Sequence, residues 1–280
     1  MLLRFIVWLS LVLAAVTCLI VGAFESYMWL WLLPLVTLAE AVAQILLVAA
    51  YALLLAARVK PDQEQDGESP LYRRFAELAI DSVVPLVRIG VKTKGLEKVP
   101  AQGRFVLMCN HVNDLDPLPI LYALPKRQLA FVAKQEVRKM FVVGPFLQKL
   151  QGQFINREND REALKTILNC IRILKEDKGS IAVFPEGRIH DDRKFHRFRP
   201  GVFKIAQKAK APIVVCTLKN SRYLTNNLTR LKRTDTELTV LTVIYPEDYE
   251  GKTTTELAEE VYQIMAADLG PENVAQEEST

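Results

Sequence analysis

The first 57 residues of the chain are almost entirely apolar, and this feature constrains the available folds more than any other. Residues 5–24 contain no charged side chain, and a run of this length can cross a bilayer core about 30 Å thick. A second apolar run, residues 28–57, is interrupted by Pro34 and predicts one span within residues 35–57, preceded by an interfacial segment. The sequence therefore predicts two N-terminal transmembrane helices.

Charged residues at the ends of these runs predict the orientation of the two spans. Arg4 precedes the first run, Arg58 and Lys60 follow the second, and Glu25 lies between them. The positive-inside rule then places both ends, and the chain from residue 58 onward, in the cytoplasm of a multi-pass cell-membrane protein. A cleaved signal peptide ending near residues 21–23 is the competing interpretation, and it leaves the second span and the cytoplasmic placement unchanged.

From residue 58 onward the composition is that of an ordinary soluble protein, with enough residues for one well-buried domain. The chain has a formal net charge of only +4 and no motif that combines basic and aromatic residues, so the sequence predicts no nucleic-acid partner. A modest positive charge suits a domain lying against anionic membrane lipid. The four cysteines show no metal-binding or disulfide-type spacing and are interpreted as reduced and buried.

Apolar periodicity divides the remaining chain into a linker, an amphipathic helix and a domain. Residues 61–70 are polar and acidic, and apolar residues then recur at helical spacing over 71–86, where Pro85 is expected to kink or end the helix. This helix could lie on the membrane or pack on the domain. The predicted boundaries are 1–60 for the transmembrane anchor, 61–90 for linker and amphipathic helix, 91–270 for the domain and 271–280 for a flexible tail.

Within the domain, short apolar runs alternate with amphipathic stretches. The predicted strands are 90–94, 104–109, 129–133, 153–156, 180–184, 212–218 and 237–245. The predicted helices are 117–124, 135–150, 158–176, 200–209 and 253–268. Such alternation predicts an α/β fold with a mixed, largely parallel sheet flanked by helices. Ligands of such folds bind beyond the carboxyl ends of the strands, so the residues after each strand are the candidate site.

The second predicted strand ends in a histidine and an aspartate. His111 follows the strand, and Asp116 comes five residues later, directly before Pro117. At a strand–turn–helix junction the chain can reverse between them, so that the carboxylate holds one imidazole nitrogen and leaves the other free to accept a proton. Taken alone, the pair favours the plainer interpretation of a helix-capping aspartate beside an ordinary polar histidine.

Two further strand ends carry charged side chains. Arg157 follows the fourth predicted strand, and Glu186, Gly187 and Arg188 follow the fifth. A lone arginine is most often a solvated surface charge, but glycine lets the backbone approach a ligand closely and arginine suits bidentate phosphate binding. A His–Asp pair, a glutamate and two arginines at one edge of a sheet together predict an active site.

Four sequence blocks identify a family. NHVNDLD resembles the NHxxxxD motif of the glycerolipid acyltransferases, and FINR, FPEGR and APIVV resemble their second, third and fourth blocks in the same order. The chain most resembles the 1-acylglycerol-3-phosphate (lysophosphatidic acid) acyltransferases, whose Gly-Leu-Glu-x-x-Pro lead-in occurs here at residues 95–100. The resemblance covers residues 85–245.

The resemblance implies a role for each of these side chains. His111 would be the general base and Asp116 its orienting partner. Arg157 and Arg188 would bind the phosphate of the acceptor, and Glu186 would contact the glycerol part of the acceptor. The implied reaction transfers a fatty acyl group from acyl-CoA or acyl carrier protein to the free hydroxyl of 1-acyl-glycerol-3-phosphate. It gives phosphatidic acid and needs no cofactor or metal.

Further positions refine this interpretation. Gly187 would shape the site, and Pro212 would belong to a structural wall or to the wall facing the acyl donor. Family members often carry serine at the position of Asn113 and an apolar or aromatic residue at that of Asp114. These departures leave the catalytic pair intact and the acceptor open, so glycerol-3-phosphate or another lyso-lipid is the alternative.

Two other function classes receive less support from the sequence. A lipid hydrolase would need a GxSxG nucleophile elbow or three convergent metal ligands. The stretch HDDRKFH at residues 190–196 matches no usual metal spacing and is interpreted as a basic loop beside the site. An inactive membrane scaffold would have no need for an intact His–Asp pair with a glutamate and two arginines.

Overall fold

The computed structural model describes residues 2–60 and 65–276, and the chain divides into two compact units between residues 63 and 64. Part of the predicted linker (61–64) and of the predicted tail (277–280) lies outside the described residues. The α-helices are α1 (Leu2–Ile20), α2 (Trp29–Ala57), α3 (Pro70–Leu86), α4 (Pro117–Ala123), α5 (Val143–Lys149), α6 (Asp160–Lys175), α7 (Lys204–Ala209), α8 (Leu224–Thr229) and α9 (Thr254–Leu269). The strands are β1 (Ile89–Lys94), β2 (Val106–Cys109), β3 (Leu129–Lys134), β4 (Gln153–Ile155), β5 (Ser180–Val183), β6 (Ile213–Lys219) and β7 (Thr234–Ile244).

The first unit contains α1 and α2, and both helices are long and apolar enough to cross a membrane. The buried residues of α1 are Ile6, Ser10, Ala14 and Cys18, which are four residues apart and therefore form one narrow face. Small side chains on such a face let two helices approach closely. Gln44 of α2 donates a hydrogen bond of 3.1 Å to the Ser10 hydroxyl, which joins the two helices.

The second helix begins earlier than the sequence predicts. It starts at Trp29 and continues through Pro34, so the expected interfacial segment before Pro34 is part of the same helix. The interfacial position of residues 29–33 stays a prediction, since a helix can begin at the membrane surface and continue into a span. A proline near the start of a helix removes one backbone donor and leaves the later hydrogen bonds in place, and apolar membrane-type helices tolerate it.

The second unit is built on a seven-stranded sheet with the order β1-β7-β6-β2-β5-β3-β4. Neighbouring strands are parallel except β6 and β7, which are antiparallel. Strands β2 and β5 at the centre are buried throughout, which explains why their sequences are continuous apolar runs. The predicted α/β class with a mixed, largely parallel sheet is confirmed. Five strands, from β6 to β4 in this order, end at the same edge.

The predicted helix over 135–150 is interrupted in the structure. Residues 135–139 form a 3₁₀ turn, and only α5 is α-helical. Gly144 lies against the backbone of Arg138, where an added Cβ atom would stand 2.2 Å from the Arg138 carbonyl oxygen. The tight turn therefore depends on glycine. The short helix α8 was not predicted, because its sequence LTNNLT has no apolar helical period.

Helix α3 packs on the domain, which is one of the two alternatives left by its sequence. Tyr72 and Val84 are buried, and the ring of Tyr72 lies 5.2 Å from that of Phe146 on α5. The helix ends at Leu86, one residue after Pro85, as predicted.

Part of the segment predicted as a flexible tail is bound to the domain. The amide of Phe195 donates to the carbonyl of Asn273 at 2.8 Å, and the amide of Ala275 donates to the carbonyl of Phe195 at 2.9 Å. Phe195 itself is buried. Residues 273–275 thus hold the long loop that follows β5, a contact that no local sequence pattern indicates.

Candidate active site

The predicted His–Asp pair forms in the structure. His111 Nδ1 and Asp116 Oδ2 lie 2.9 Å apart. The same Asp116 oxygen accepts the backbone N–H groups of Val112 at 2.8 Å and Asn113 at 2.9 Å. The turn therefore folds around the carboxylate, which explains how residues five apart in sequence can meet.

Asp116 does not act as the helix cap that the sequence suggested. It directly precedes α4, but its side chain makes no capping hydrogen bond and instead points back to the turn. The residue is fully buried, and within residues 2–60 and 65–276 its Oδ1 atom has no hydrogen-bond partner. The fixed acceptor at Nδ1 favours the tautomer with its proton on Nδ1, which leaves Nε2 as the free basic nitrogen.

Two more contacts fix the position of His111. Its ring stacks on Phe184 with centroids 4.1 Å apart and an interplanar angle of 12°. The preceding residue, Asn110, continues the pairing of β2 with β6 through its side chain. Its amide nitrogen donates to the Leu218 carbonyl at 3.0 Å, and its amide oxygen accepts the Leu218 N–H at 2.7 Å. Asn110 thus anchors the end of the strand from which the histidine projects.

Glu186 is joined to the histidine through the backbone. Its Oε1 accepts the N–H of His111 at 2.7 Å, and its Oε2 accepts the N–H of His196 at 2.9 Å. The residue is only 3% exposed. Burial raises the pKa of the Glu186 carboxyl to about 8, and the two backbone N–H groups act in the opposite direction. The carboxyl group thus ties the loop after β5 to the loop after β2.

This burial predicts a pH-dependent contribution of Glu186 to stability. A carboxyl whose pKa is raised in the folded state contributes stability fully below the ordinary value near 4.5 and loses it as pH rises through about 8. We therefore compare the unfolding temperatures of Glu186→Gln and the original chain. The difference, variant minus original, should become more positive from pH 5 to pH 8. Circular dichroism of the full chain in detergent measures this difference. Glu158→Gln, at an exposed position, is the control. If the unfolding temperatures of Glu186→Gln and the original chain changed with pH in parallel, the prediction would be contradicted.

The two predicted arginines lie in different surroundings. Arg157 is half-buried, and burial followed by the positive charge of Arg199 lowers its pKa, while Glu136 opposes the shift. Arg188 is exposed. Arg199 was missed by the sequence reasoning, because an arginine in a loop eleven residues beyond the FPEGR block carries no signal of its own.

Asn113 connects the turn between His111 and Asp116 to the segment after β6. Its side-chain oxygen accepts the Leu115 N–H at 3.0 Å and the Thr225 hydroxyl at 2.9 Å, and its amide lies 3.4 Å from the carbonyl of Arg222. The residue is completely buried. Asn113, which stands where family members often carry serine, therefore has a structural role in holding these two segments together.

The stretch at residues 190–196 forms a loop next to this turn. Arg193 donates to the carbonyl of Val112 at 3.1 Å. The rings of His190 and His196 stack 3.6 Å apart, and His196 Nε2 lies 2.9 Å from Asp192. In the described part of the chain no three or more His, Cys, Asp or Glu side chains are grouped so that they could hold a metal ion.

Comparison with known proteins places the chain in a family. A family model described as Acyltransferase matches residues 90–219. This range contains His111, Asp116, Arg157, the block 186–188 and Arg199. The chain is 32% identical over 142 residues to the 1-acyl-sn-glycerol-3-phosphate acyltransferase of Bacillus subtilis, covering 50% of this chain and 68% of that protein. The chain belongs to the 1-acyl-sn-glycerol-3-phosphate acyltransferase family.

Two further comparisons agree with this placement. The chain is 30% identical over 138 residues to the 1-acyl-sn-glycerol-3-phosphate acyltransferase of Borreliella burgdorferi, covering 49% of this chain and 54% of the relative. The alignments with the two bacterial relatives thus span 54% to 68% of their lengths. The crystal structure of the 1-acyl-sn-glycerophosphate acyltransferase of Thermotoga maritima superposes with a TM-score of 0.60 at 22% identity, over 79% of this chain and 86% of that chain. At that identity the likeness shows the fold alone.

Proposed function

We propose that the chain transfers a fatty acyl group from an acyl thioester to the free hydroxyl of 1-acyl-glycerol-3-phosphate and so produces phosphatidic acid for phospholipid synthesis. The observation that carries the proposal is the buried Asp116 carboxylate, 2.9 Å from His111 Nδ1, at the carboxyl edge of the sheet. The printed names of the relatives supply the acceptor. The acyl donor is acyl-CoA or acyl carrier protein, which serves as a co-substrate, and the reaction needs no cofactor or metal.

The chemistry proceeds by general-base catalysis at His111. Nε2 removes the proton from the acceptor hydroxyl while that oxygen attacks the thioester carbonyl. Asp116 stabilises the imidazolium that forms. The thiolate of the donor then leaves as the C–S bond breaks and takes up the proton from the imidazolium. Because the acceptor itself supplies the hydroxyl, the reaction needs no covalent acyl-enzyme, and the sequence contains no GxSxG elbow.

Other side chains at the same edge position the acceptor. Arg157 and Arg188 bind its phosphate, and Gly187 shapes the adjoining surface. The sequence suggested that Glu186 contacts the glycerol of the acceptor. Since both of its oxygens accept backbone N–H groups in a nearly inaccessible place, we assign it the role of positioning His111.

The acceptor and product are amphiphiles, so the proposed site works beside a membrane. The two apolar helices of the first unit serve as transmembrane spans in the cell membrane. The charges flanking them support an active site on the cytoplasmic side. Glycerol-3-phosphate or another lyso-lipid as acceptor is the alternative, and it would use the same catalytic pair.

A panel of acceptors measured with both donors tests the proposal and the arginine assignments together. We expect 1-acyl-glycerol-3-phosphate to be preferred over the phosphate-free monoacylglycerol of equal chain length. Arg157→Ala should raise the acceptor KM by about 10- to 100-fold, since a hydrogen bond to a charged group contributes about 1.5–3 kcal/mol. Exposed Arg188→Ala should raise it by only about 2- to 5-fold, because solvent screens exposed pairs.

Arg104→Ala is the matched control for the panel. Arg104 precedes β2 at the opposite edge of the sheet and pairs with Asp177, so its removal should leave the acceptor KM unchanged. A loss of kcat alone in Arg157→Ala, with unchanged KM, would refute the phosphate assignment. Equal turnover of phosphate-bearing and phosphate-free acceptors would refute the proposed acceptor.

A further inference from the structure

The side chain of Arg199 lies across Gly187. A Cβ atom built on Gly187 would stand 2.9 Å from Arg199 Cδ and 3.0 Å from its Nε, so the arginine side chain would have to shift to make room for it. Gly187 also has a φ of +82°, a backbone conformation that side chains of other residues rarely adopt. The Arg199 side chain therefore packs directly against the backbone of Gly187.

The backbone of Arg199 is fixed at the same place. Its N–H donates to the carbonyl of Pro185 at 2.9 Å, and the Gly187 N–H donates to the carbonyl of Phe184 at 3.0 Å. The chain thus returns to the end of β5 at Arg199, beside the residue that holds the His111 backbone. This return places a third arginine next to the catalytic turn.

The guanidinium of Arg199 is exposed, and no carboxylate pairs with it in the described part of the chain. Arg197, two residues earlier, shows the opposite situation. It forms an ion pair of 2.5 Å with Glu259, and its guanidinium carbon lies 4.3 Å from the centre of the Tyr262 ring. One arginine of this loop is therefore held by the protein, and the other is available to a ligand.

The positive charge of Arg199 acts on Arg157, the half-buried arginine after β4. After burial, the charge of Arg199 is the largest cause that lowers the pKa of Arg157. Two like charges close together repel each other unless an anion lies between them. A phosphate monoester carries a charge of about −1.5 to −2 and three acceptor oxygens, which matches two guanidinium groups.

We propose that Arg199 joins Arg157 in holding the phosphate of the acceptor, and that Gly187 leaves room for the Arg199 side chain in that position. This inference rests on the proposed function. It places the phosphate between the loops that follow β4 and β5. It also gives Gly187 a specific role, since a side chain there would shift Arg199 away from the position it now occupies.

The first test measures equilibrium binding to the full-length chain in nanodiscs without acyl donor, so that no turnover occurs. The ligands are 1-acyl-glycerol-3-phosphate and the monoacylglycerol of equal chain length. Because Arg199 is exposed, Arg199→Ala should raise the Kd of the phosphate ligand by about 2- to 5-fold and leave the Kd of the phosphate-free ligand unchanged. Arg199→Lys should recover part of the loss, because lysine keeps the charge without the fork of donors. Arg197→Ala is the control on the same loop and should bind as the original chain does.

The second test is a double-mutant cycle of Gly187→Ala with Arg199→Ala. Gly187→Ala should weaken phosphate-ligand binding about as much as Arg199→Ala does, and it should add little in the Arg199→Ala background. Backbone strain from the positive φ acts equally in both backgrounds and cancels in the cycle. A full Gly187→Ala loss in the absence of Arg199 would overturn the assigned role of the glycine.

The outcomes separate this inference from the function on which it rests. If the original chain binds both ligands equally, the proposed phosphate-bearing acceptor is wrong. If the original chain prefers the phosphate ligand and Arg199→Ala binds it equally well, the proposed function stands and the role of Arg199 is wrong. A selective loss in Arg199→Ala that Arg197→Ala does not share supports the inference.

Discussion

Replacing His111 by alanine is expected to lower the kcat of acyl transfer by about 10²- to 10⁴-fold, the usual contribution of a positioned general base. The imidazole is the group that lies against the buried carboxylate of Asp116 and presents a free nitrogen to the site. Its removal leaves the turn held by the backbone N–H groups that Asp116 accepts from Val112 and Asn113. We therefore expect the fold and acceptor binding to persist while turnover is lost.

Steady-state kinetics with saturating donor and acceptor measure this loss, and circular dichroism of the same preparation checks the fold. His190→Ala is the matched control. His190 stacks on His196, and its ring makes no hydrogen bond to Asp116 or Glu186 in the described part of the chain. Its removal should leave kcat near that of the original chain. Near-normal turnover by His111→Ala would rule out the general-base mechanism.

The regular elements of the domain could be predicted well from the sequence. Central strands such as β2 and β5 are buried throughout and appear as continuous apolar runs, while α6 shows strong amphipathic periodicity and begins at a polar cap. Asn159 accepts the N–H groups of Arg161 and Glu162 at this cap. Such local signals depend on the chain a few residues to either side, so a single sequence contains them.

The contacts that assemble the candidate site could not be predicted in this way. Glu186 meets the backbone of His111 across 75 positions of sequence, and Asn113 meets Thr225 across 112. These contacts arise because β2, β5 and β6 are neighbours in the sheet, and no local period encodes that order. The motifs predicted which residues belong to the site. Their contact partners depend on the order of the strands in the sheet, which only the structure shows.

The role of Asp116 also depends on its three-dimensional setting. The sequence Asp-Pro at a helix start suggested a cap, but the carboxylate points away from the helix into the preceding turn. There Oδ2 of Asp116 accepts hydrogen bonds from the backbone amides of Val112 and Asn113 and lies within hydrogen-bond distance of His111 Nδ1. The carboxylate therefore builds the turn and orients the imidazole at the same time.

Asp116→Asn is expected to lower kcat by about 10²- to 10⁴-fold, with little change in acceptor binding. If the asparagine oxygen takes the place of Oδ2, the turn and the ring orientation survive. The negative charge that stabilises the imidazolium is then lost. If the amide nitrogen takes that place, it faces two backbone N–H groups and forces the proton of His111 onto Nε2, so the base is unavailable. Both arrangements reduce turnover.

Asp114→Asn provides the matched control, because Asp114 lies in the same turn but is exposed. The same change there should leave kcat unaltered. The acceptor Kd, measured without donor, should be close to that of the original chain in both variants. This result would separate orientation of the base from binding. Asp116→Asn with normal kcat would show that the carboxylate serves only to build the turn, and His111 would then need no charged partner for proton transfer.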